Sequence, residues 1–354
     1  MPLNGKNEFI FQDSKGKTFN FFLDEKEEIQ CISSNTKHQW VSKDDVFPKR
    51  CSSLDIVLDG SDRFHIVSYH YDGDFYYHYR KNNEWKSIQL TSLSKSERIF
   101  YPKACILGSN IHVFYDLQQS TQRDRCTLFH YTYDEKAMTW VKNNICTLRF
   151  NRFVTPYKVL TYKKRILLLY ISIINNNDEI CLIEYYPHND QWSKPQQLTN
   201  TTDQKLYMDA LMDQEGNLHI TWCQYKEQDG LMVQYLKTDL KNVDLKDQKI
   251  SSLSKRLNCS FPQLILMNQQ LYCMWVEYGH LAVSKSNDMG SNWMPPSIVD
   301  DSKINNFKRY RYGSNQSKSQ FNIQCEFLYG THYPSIQFLG FGGDNYDEIS
   351  ASES

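Results

Sequence analysis

Seven apolar segments of nearly the same pattern recur along the chain, and no other feature limits its folding so strongly. They are TFNFFLDE from Thr18, RFHIVSYH from Arg63, NIHVFYDL from Asn110, RILLLYIS from Arg165, NLHITWCQ from Asn217, QLYCMWVE from Gln270 and QFNIQCEF from Gln320. Subtracting neighbouring start positions gives spacings of 45, 47, 55, 52, 53 and 50 residues. Just upstream of each lies another apolar strand, joined to it by a short polar or Gly-containing turn such as Asp213-Gln214-Glu215-Gly216, which is a hairpin signal. Downstream comes a third strand that often ends in Tyr, as at Tyr79, Tyr131, Tyr185 and Tyr235. A Trp then opens a fourth at Trp40, Trp85, Trp140, Trp192 and Trp293, with Leu245 standing in for it in the fifth repeat.

Four antiparallel strands at a period of ~45–55 residues match the blade of a β-propeller; solenoid coils would need parallel strands and shorter periods. The expected fold is therefore all-β: a β-propeller of four-stranded antiparallel blades, seven-bladed, or six-bladed if the last repeat is incomplete. One domain over residues 1–341 is expected, with repeats at about 8–47, 53–94, 101–150, 155–200, 206–254, 259–303 and 307–341. Residues 342–354 form an acidic tail. The seventh repeat is the weak one, because after Phe327 it offers only SIQFLGF and no Trp. Either the ring closes without a full seventh blade or another segment supplies the missing edge, since an open edge invites pairing with a second chain.

Tyr 24, Phe 19 and Trp 7 among 354 residues can fill such a core. Lys+Arg 40 against Asp+Glu 41 leaves a formal charge of -1, which argues against nucleic acid as a partner and leaves electrostatic function to local arrangement. Arg165 to Ile174, the longest strongly apolar run, is too short to span a bilayer. MPLNGKNEFIFQ lacks the apolar core of a secretory signal, so a cytoplasmic location is expected, although the mature form of a secreted protein would look the same. Ten scattered cysteines without a CxxC pair read as free thiols in a reducing compartment. Motifs for a metal or a cofactor are missing, so neither is expected. The Lys-, Asn- and Tyr-rich composition suggests an AT-rich bacterial genome.

In a propeller, the loops leading into the first strands crowd one mouth of the central channel. Here each carries a cation: Arg50, Arg98, Arg152, Lys205, Arg256 and Arg309. Second strands end near the same face with Tyr69, Tyr115, Tyr170, Trp222 and Trp275, and the loops that follow are acidic or aromatic, with Asp72, Asp116, Asp124 and Glu277 among them. Arginines, carboxylates and aromatic faces together suit a sugar or an anionic group, because rings stack on C–H surfaces while charges fix hydroxyls and carboxylates. The plainer reading is that charged loop ends keep a protein soluble and aromatic rows fill blade cores. His65, His112 and His219 recur at equivalent second-strand positions and read as packing or hydrogen-bonding residues.

Ser286, Asp288, Gly290 and Trp293 stand in the spacing S-x-D-x-G-x-x-W within LAVSKSNDMGSNW. Ser and Asp oxygens can accept from the amides of a tight turn, Gly supplies a positive φ, and Trp begins the next strand, so the set reads as a folding device. It resembles the Asp-box of the sialidase-like, BNR-repeat β-propellers, and Ser33, Asn35 and Trp40 form a degraded copy. That resemblance implies three arginines for a substrate carboxylate, a Tyr nucleophile assisted by a Glu, and an Asp acid/base. In this chain no arginine precedes Arg50, and Arg98 in ERIFYP has the order of the family's first-arginine motif wrong, so no catalytic residue carries over. The expected function is a non-catalytic binding module for a glycan or anionic ligand. A glycoside-active enzyme using Arg98, Arg152 or Arg256 with Asp72, Asp116 or Glu277 is the alternative, and a scaffold for a protein partner is the third reading.

Overall fold

The computed structural model describes residues 8–35, 39–81, 84–134, 139–150, 157–226, 230–241, 243, 245, 248–316 and 323–341. Among them are six sheets, antiparallel except for one parallel pair in the first, and one four-residue helix, Asp301–Ile304. The fold is a six-bladed β-propeller. No helix among the described residues is long and apolar enough to cross a membrane.

Alternation of apolar and polar residues sets each blade, because a strand shows successive side chains to opposite faces. Glu8–Gln12, Thr18–Leu23, Ile29–Ser34 and Trp40–Phe47 make the first, and Cys51–Leu58, Phe64–His70, Asp74–Lys81 and Glu84–Ser92 the second. The third comprises Glu97–Leu107, Asn110–Gln119, Arg125–Asp134 and Thr139–Arg149. Tyr157–Tyr162, Arg165–Ile174, Asn177–Tyr186 and the short Gln191–Trp192 and Gln196–Gln197 form the fourth. Gln204–Met212, Asn217–Lys226, Gly230–Asp239 and Ile250–Ser252 form the fifth. Ser260–Met267, Gln270–Glu277, His280–Ser286 and Ser297–Ile298 complete the sixth. Two fourth strands start later than expected. Leu245 lies in a bend ahead of Ile250, and after Trp293 the pair Pro295-Pro296 delays pairing to Ser297, since proline has no amide to donate.

The seventh repeat does not build a blade, which corrects the seven-bladed expectation in favour of six. Its first strand, Lys308–Ser314, instead pairs in parallel with Glu8–Gln12, and Phe327–Gly330 pairs antiparallel to it, so the first sheet has six strands. Ile323–Gln324, expected inside one strand from Gln320 to Phe327, pairs with Leu266–Met267 of the sixth blade. SIQFLGF contributes only the bridge between Gly330 and Phe338. A strand pair without further strands is marginal in water, and this one is stabilised by joining an existing sheet. Parallel pairing brings Gly313 beside Phe11, where a Cβ would lie 2.8 Å from the Phe ring. The acidic tail, residues 342–354, lies outside the described residues.

The chain divides into two compact units, within Met1–Thr147, Phe307–Ser319 and Phe327–Ser354, and within Leu148–Asn306 and Gln320–Glu326. In the first unit, Phe11, Phe19, Phe21 and Phe64 pack edge to face between the first and second blades. In the second, Trp222 and Trp275 are buried in two clusters of aliphatic side chains. Each unit also buries charge on its first strands. Asp55 accepts from the Ala104 amide of the next blade at 3.0 Å and meets Arg311 at 2.8 Å, with Lys103 at 4.0 Å. Asp209 likewise accepts from the Leu264 amide at 2.9 Å, while Lys158 bridges Asp209 and Glu326. Burial works against the Lys158 charge, but the two carboxylates outweigh it and hold the ammonium above the usual lysine range.

Candidate functional site

Three first strands carry a bulky residue in the left-handed region at the same place: Tyr101 with φ 47°, Tyr207 with φ 57° and Phe261 with φ 51°. At each, pairing with the second strand slips by one position, between Phe114 and Asp116, Leu206 and Asp209, and Ser260 and Gln263. Such a conformation costs roughly 1–3 kcal/mol for a side chain of this size and persists because the surrounding sheet fixes it. In the third blade the bulge separates the rest of the strand from Glu97–Phe100, of which Arg98 and Phe100 line a cavity of about 420 Å³.

Two loops build that cavity, and hydrogen bonds fix both. Glu97 accepts from the Ser94 amide at 3.3 Å and from the Ser94 hydroxyl at 2.9 Å, closing the turn that precedes the strand. The Ser120 amide donates to the Ser96 carbonyl at 2.8 Å, tying this turn to the loop after the second strand. Gln118 donates to the Arg123 carbonyl at 3.2 Å and shapes that loop in turn. The result sets Lys95, Arg98 and Arg123 around Gln118, Gln119 and the half-buried Phe100 ring. None of the three cations forms a salt bridge among the described residues, whereas the neighbouring Arg125 pairs with Asp124 at 3.3 Å. No carboxylate is among the described residues that line the cavity. Three cations, amide donors and one aromatic ring in one concavity can hold an anion.

Arg98 is therefore the residue expected from the sequence that the structure sets in a cavity. Arg50 forks onto Glu27 at 2.6 and 3.2 Å and lies 4.8 Å from the Tyr71 ring centroid. Lys205 is 1% exposed, and its ammonium is held by Asp178, Glu179 and Thr201; burial pulls it below the usual lysine range, with Glu179 opposing. The Arg309 guanidinium lies 3.7 Å from the Phe327 ring centroid, and Arg256 is exposed. Arg152 falls outside the described residues. Tyr69, Tyr115, Tyr170, Trp222 and Trp275 are all buried. Tyr69 and Tyr115 pack in one core cluster, Trp222 in another, and Trp275 in a third, where its ring nitrogen donates to Glu277 at 3.1 Å. These rings fill blades because the alternation that orients each strand points them inward.

Among the carboxylates, Asp72 pairs with Lys49 at 2.6 Å, and Asp116 is fully buried beside the Cys126 thiol, where desolvation pushes its carboxyl well above the usual range. His65 and His219 each bridge an aspartate and a tyrosine: Asp59 and Tyr77 in the second blade, Asp213 and Tyr235 in the fifth. Burial lowers both imidazoles below their usual value, with the aspartate opposing. His112 and His130 meet at 2.9 Å. Lys95 and Arg123 escaped the sequence reading, although both were visible in it, in KSER before the third first strand and RDR in a loop characterised by its acids.

Ser286, Asp288, Gly290 and Trp293 form a closed turn. The Ser286 hydroxyl donates to Asp288 and accepts from the Gly290 amide, each at 2.8 Å, and Asp288 accepts from the amide and side chain of Asn292 at 2.8 and 2.7 Å. Gly290 has φ 84°, and Trp293 packs edge-on against Tyr235 at 4.8 Å.

No family model matches the chain, and no curated protein does. Solved structures do. A PL25 ulvan lyase bound to -[GlcA(1-4)Rha3S]- aligns over 100% of both chains with a TM-score of 0.63 at 10% identity. Polysaccharide lyase Uly1 aligns over 97% of this chain and 88% of its own, with a TM-score of 0.58 at 10% identity. At this identity the likeness establishes a shared β-propeller architecture and leaves chemistry to the site itself.

Proposed function

We propose that this propeller recognises a glycan and that the cavity on the third blade takes an anionic sugar unit. The observation that carries the reading is the set of three cations, Lys95, Arg98 and Arg123, that share one cavity without a carboxylate among its lining residues. Every other described cation in the expected set whose contacts are known is engaged within the fold, as Arg50 is on Glu27 and Lys205 on Glu179. Guanidinium groups suit carboxylate and sulfate oxygens through paired N–H donors, and Gln118 and Gln119 supply amides for hydroxyls. The Phe100 ring offers a face for sugar C–H groups. The PL25 lyase of the same architecture was solved with a GlcA- and Rha3S-containing saccharide, which makes uronates and sulfated sugars the first ligands to try.

The described residues that line it include no His, Tyr or carboxylate placed to move a proton, and this supports binding over turnover. A glycan array of uronate-containing and sulfated oligosaccharides is the test, followed by titration of the best ligand into Arg98→Ala and Arg123→Ala. Each substitution is expected to weaken binding by roughly 1.5–3 kcal/mol and to flatten its dependence on salt. Unchanged affinity in both variants, or no anionic glycan bound, defeats the proposal. Growth of an unsaturated uronate product during incubation would make the protein a lyase instead.

A further inference from the structure

We infer that the second unit carries a separate binding site for an uncharged saccharide, built by hairpin tips of the fifth and sixth blades. A cavity of about 580 Å³ lies there, inside the ~300–1,000 Å³ range of small-ligand pockets. Its rim comes from the Asp213–Gly216 turn and the Asn268–Gln269 turn, with Gln324 brought in by the strand that pairs with Leu266–Met267. Leu266 and the half-buried Met289 give it an apolar floor.

The rim is held still by bonds that leave its outermost groups unused. Asp213 accepts from the amides of Gly216 and Asn217 and from the Asn217 side chain, each at 2.7 Å, and from His219 at 3.2 Å. Its charge thus serves the turn. Asn268 and Gln269 occupy the left-handed region at φ 48° and 62°, as a two-residue hairpin turn requires. Met289 sits in the Ser286–Trp293 turn, and its carbonyl accepts from Lys237 at 3.0 Å. The Gln324 side chain donates to the Met212 carbonyl at 2.9 Å.

The exposed side chains of Gln214, Asn268 and Gln269 make no hydrogen bond among the described residues. Each primary amide presents donors and an acceptor together, which is the complement of a hydroxyl that both donates and accepts. Glu215 adds a carboxylate for paired hydroxyls, and no Lys or Arg is among the described residues that line the cavity, so an anionic sugar finds no cation among them. Leu266 and Met289 can meet the C–H face of a sugar ring. The third-blade cavity, in the first unit, has the opposite character: three cations and no acid.

Isothermal titration with cellotriose, maltotriose and xylotriose tests the site, with trigalacturonate as the anionic comparison. At least one neutral trisaccharide should bind, with an affinity that stays constant between about 50 and about 500 mM NaCl. Gln214→Ala combined with Gln269→Ala should weaken it about tenfold or more, and Arg98→Ala should leave it unchanged. Because both glutamines are exposed, the melting midpoint of the double variant should match that of the parent, which separates lost binding from lost folding. The inference is overturned if none of the three sugars binds, if the double variant binds as the parent does, or if Arg98→Ala abolishes the interaction. Failure of the third-blade reading would appear only with anionic ligands, so the two outcomes are distinct.

Discussion

Asp288 has the exposure of a reactive carboxylate and the bonding of a clamp. Its pKa is lowered from 3.8 to about 2, chiefly by the Asn292 side chain, then by the Asn292 amide and the Ser286 hydroxyl. A carboxyl depressed in this way contributes stability above its ordinary pKa and loses it as pH falls through about 2. Carboxyl-detected NMR should therefore place the Asp288 midpoint near 2 in the parent and move it toward 3.8 in Asn292→Ala; equal midpoints would refute the clamp. Two positions along, a Cβ on Gly290 would lie 1.8 Å from the Tyr235 hydroxyl oxygen, in a backbone of φ 84°. Gly290→Ala should destabilise the chain by roughly 1–3 kcal/mol in urea titration. Both roles can be read from S-x-D-x-G-x-x-W, because a turn's chemistry is local. The fate of a cation is not. Lys205 and Arg98 look alike in sequence, yet Glu179 takes one into the interior while the other stays in an open cavity.

At the scale of the strand, the buried charges on the first strands carry more weight than any loop. Lys158 satisfies both Asp209 and Glu326, and Asp209 also binds the amide of the next blade. Lys158→Met would leave the buried Asp209 and the half-buried Glu326 without their cation, so a loss of about 3–5 kcal/mol is expected in denaturant unfolding. Adding Glu326→Gln should restore part of it, since one of the uncompensated charges is then gone. The repeat was legible because an apolar run buried along nearly its whole length recurs in each blade, as in Phe64–His70 and Gln270–Glu277. The bulges at Tyr101, Tyr207 and Phe261 were not, as nothing in the one-dimensional pattern distinguishes an extra residue in a ladder from a normal one. Yet the third-blade bulge directly follows the part of the strand that lines the basic cavity, so a hidden irregularity, rather than the visible repeat, positions Arg98.

For the molecule as a whole, the repeat count in the sequence exceeds the blade count in the structure by one. Lys308–Ser314 carries a first-strand pattern as good as the others, and its partner, Glu8–Gln12, was assigned to a different repeat. Periodicity shows that a strand exists and leaves open which strand it pairs with and in which direction. Arg311 and Glu326, also from the last repeat, supply partners for the buried Asp55 in the first unit and the buried Lys158 in the second. Deletion of residues 307–341 should then abolish cooperative unfolding by circular dichroism; a sharp transition in the truncated chain would show that the six blades suffice. The parallel pairing also sets a timetable for biosynthesis. Lys308 meets Glu8 across 300 positions of chain. At translation rates of ~5–20 residues per second, Glu8–Gln12 must wait roughly 15–60 s on the ribosome with Phe9, Ile10 and Phe11 lacking part of their final cover. A nascent chain of this kind should depend on chaperones, and slower synthesis should lengthen that dependence.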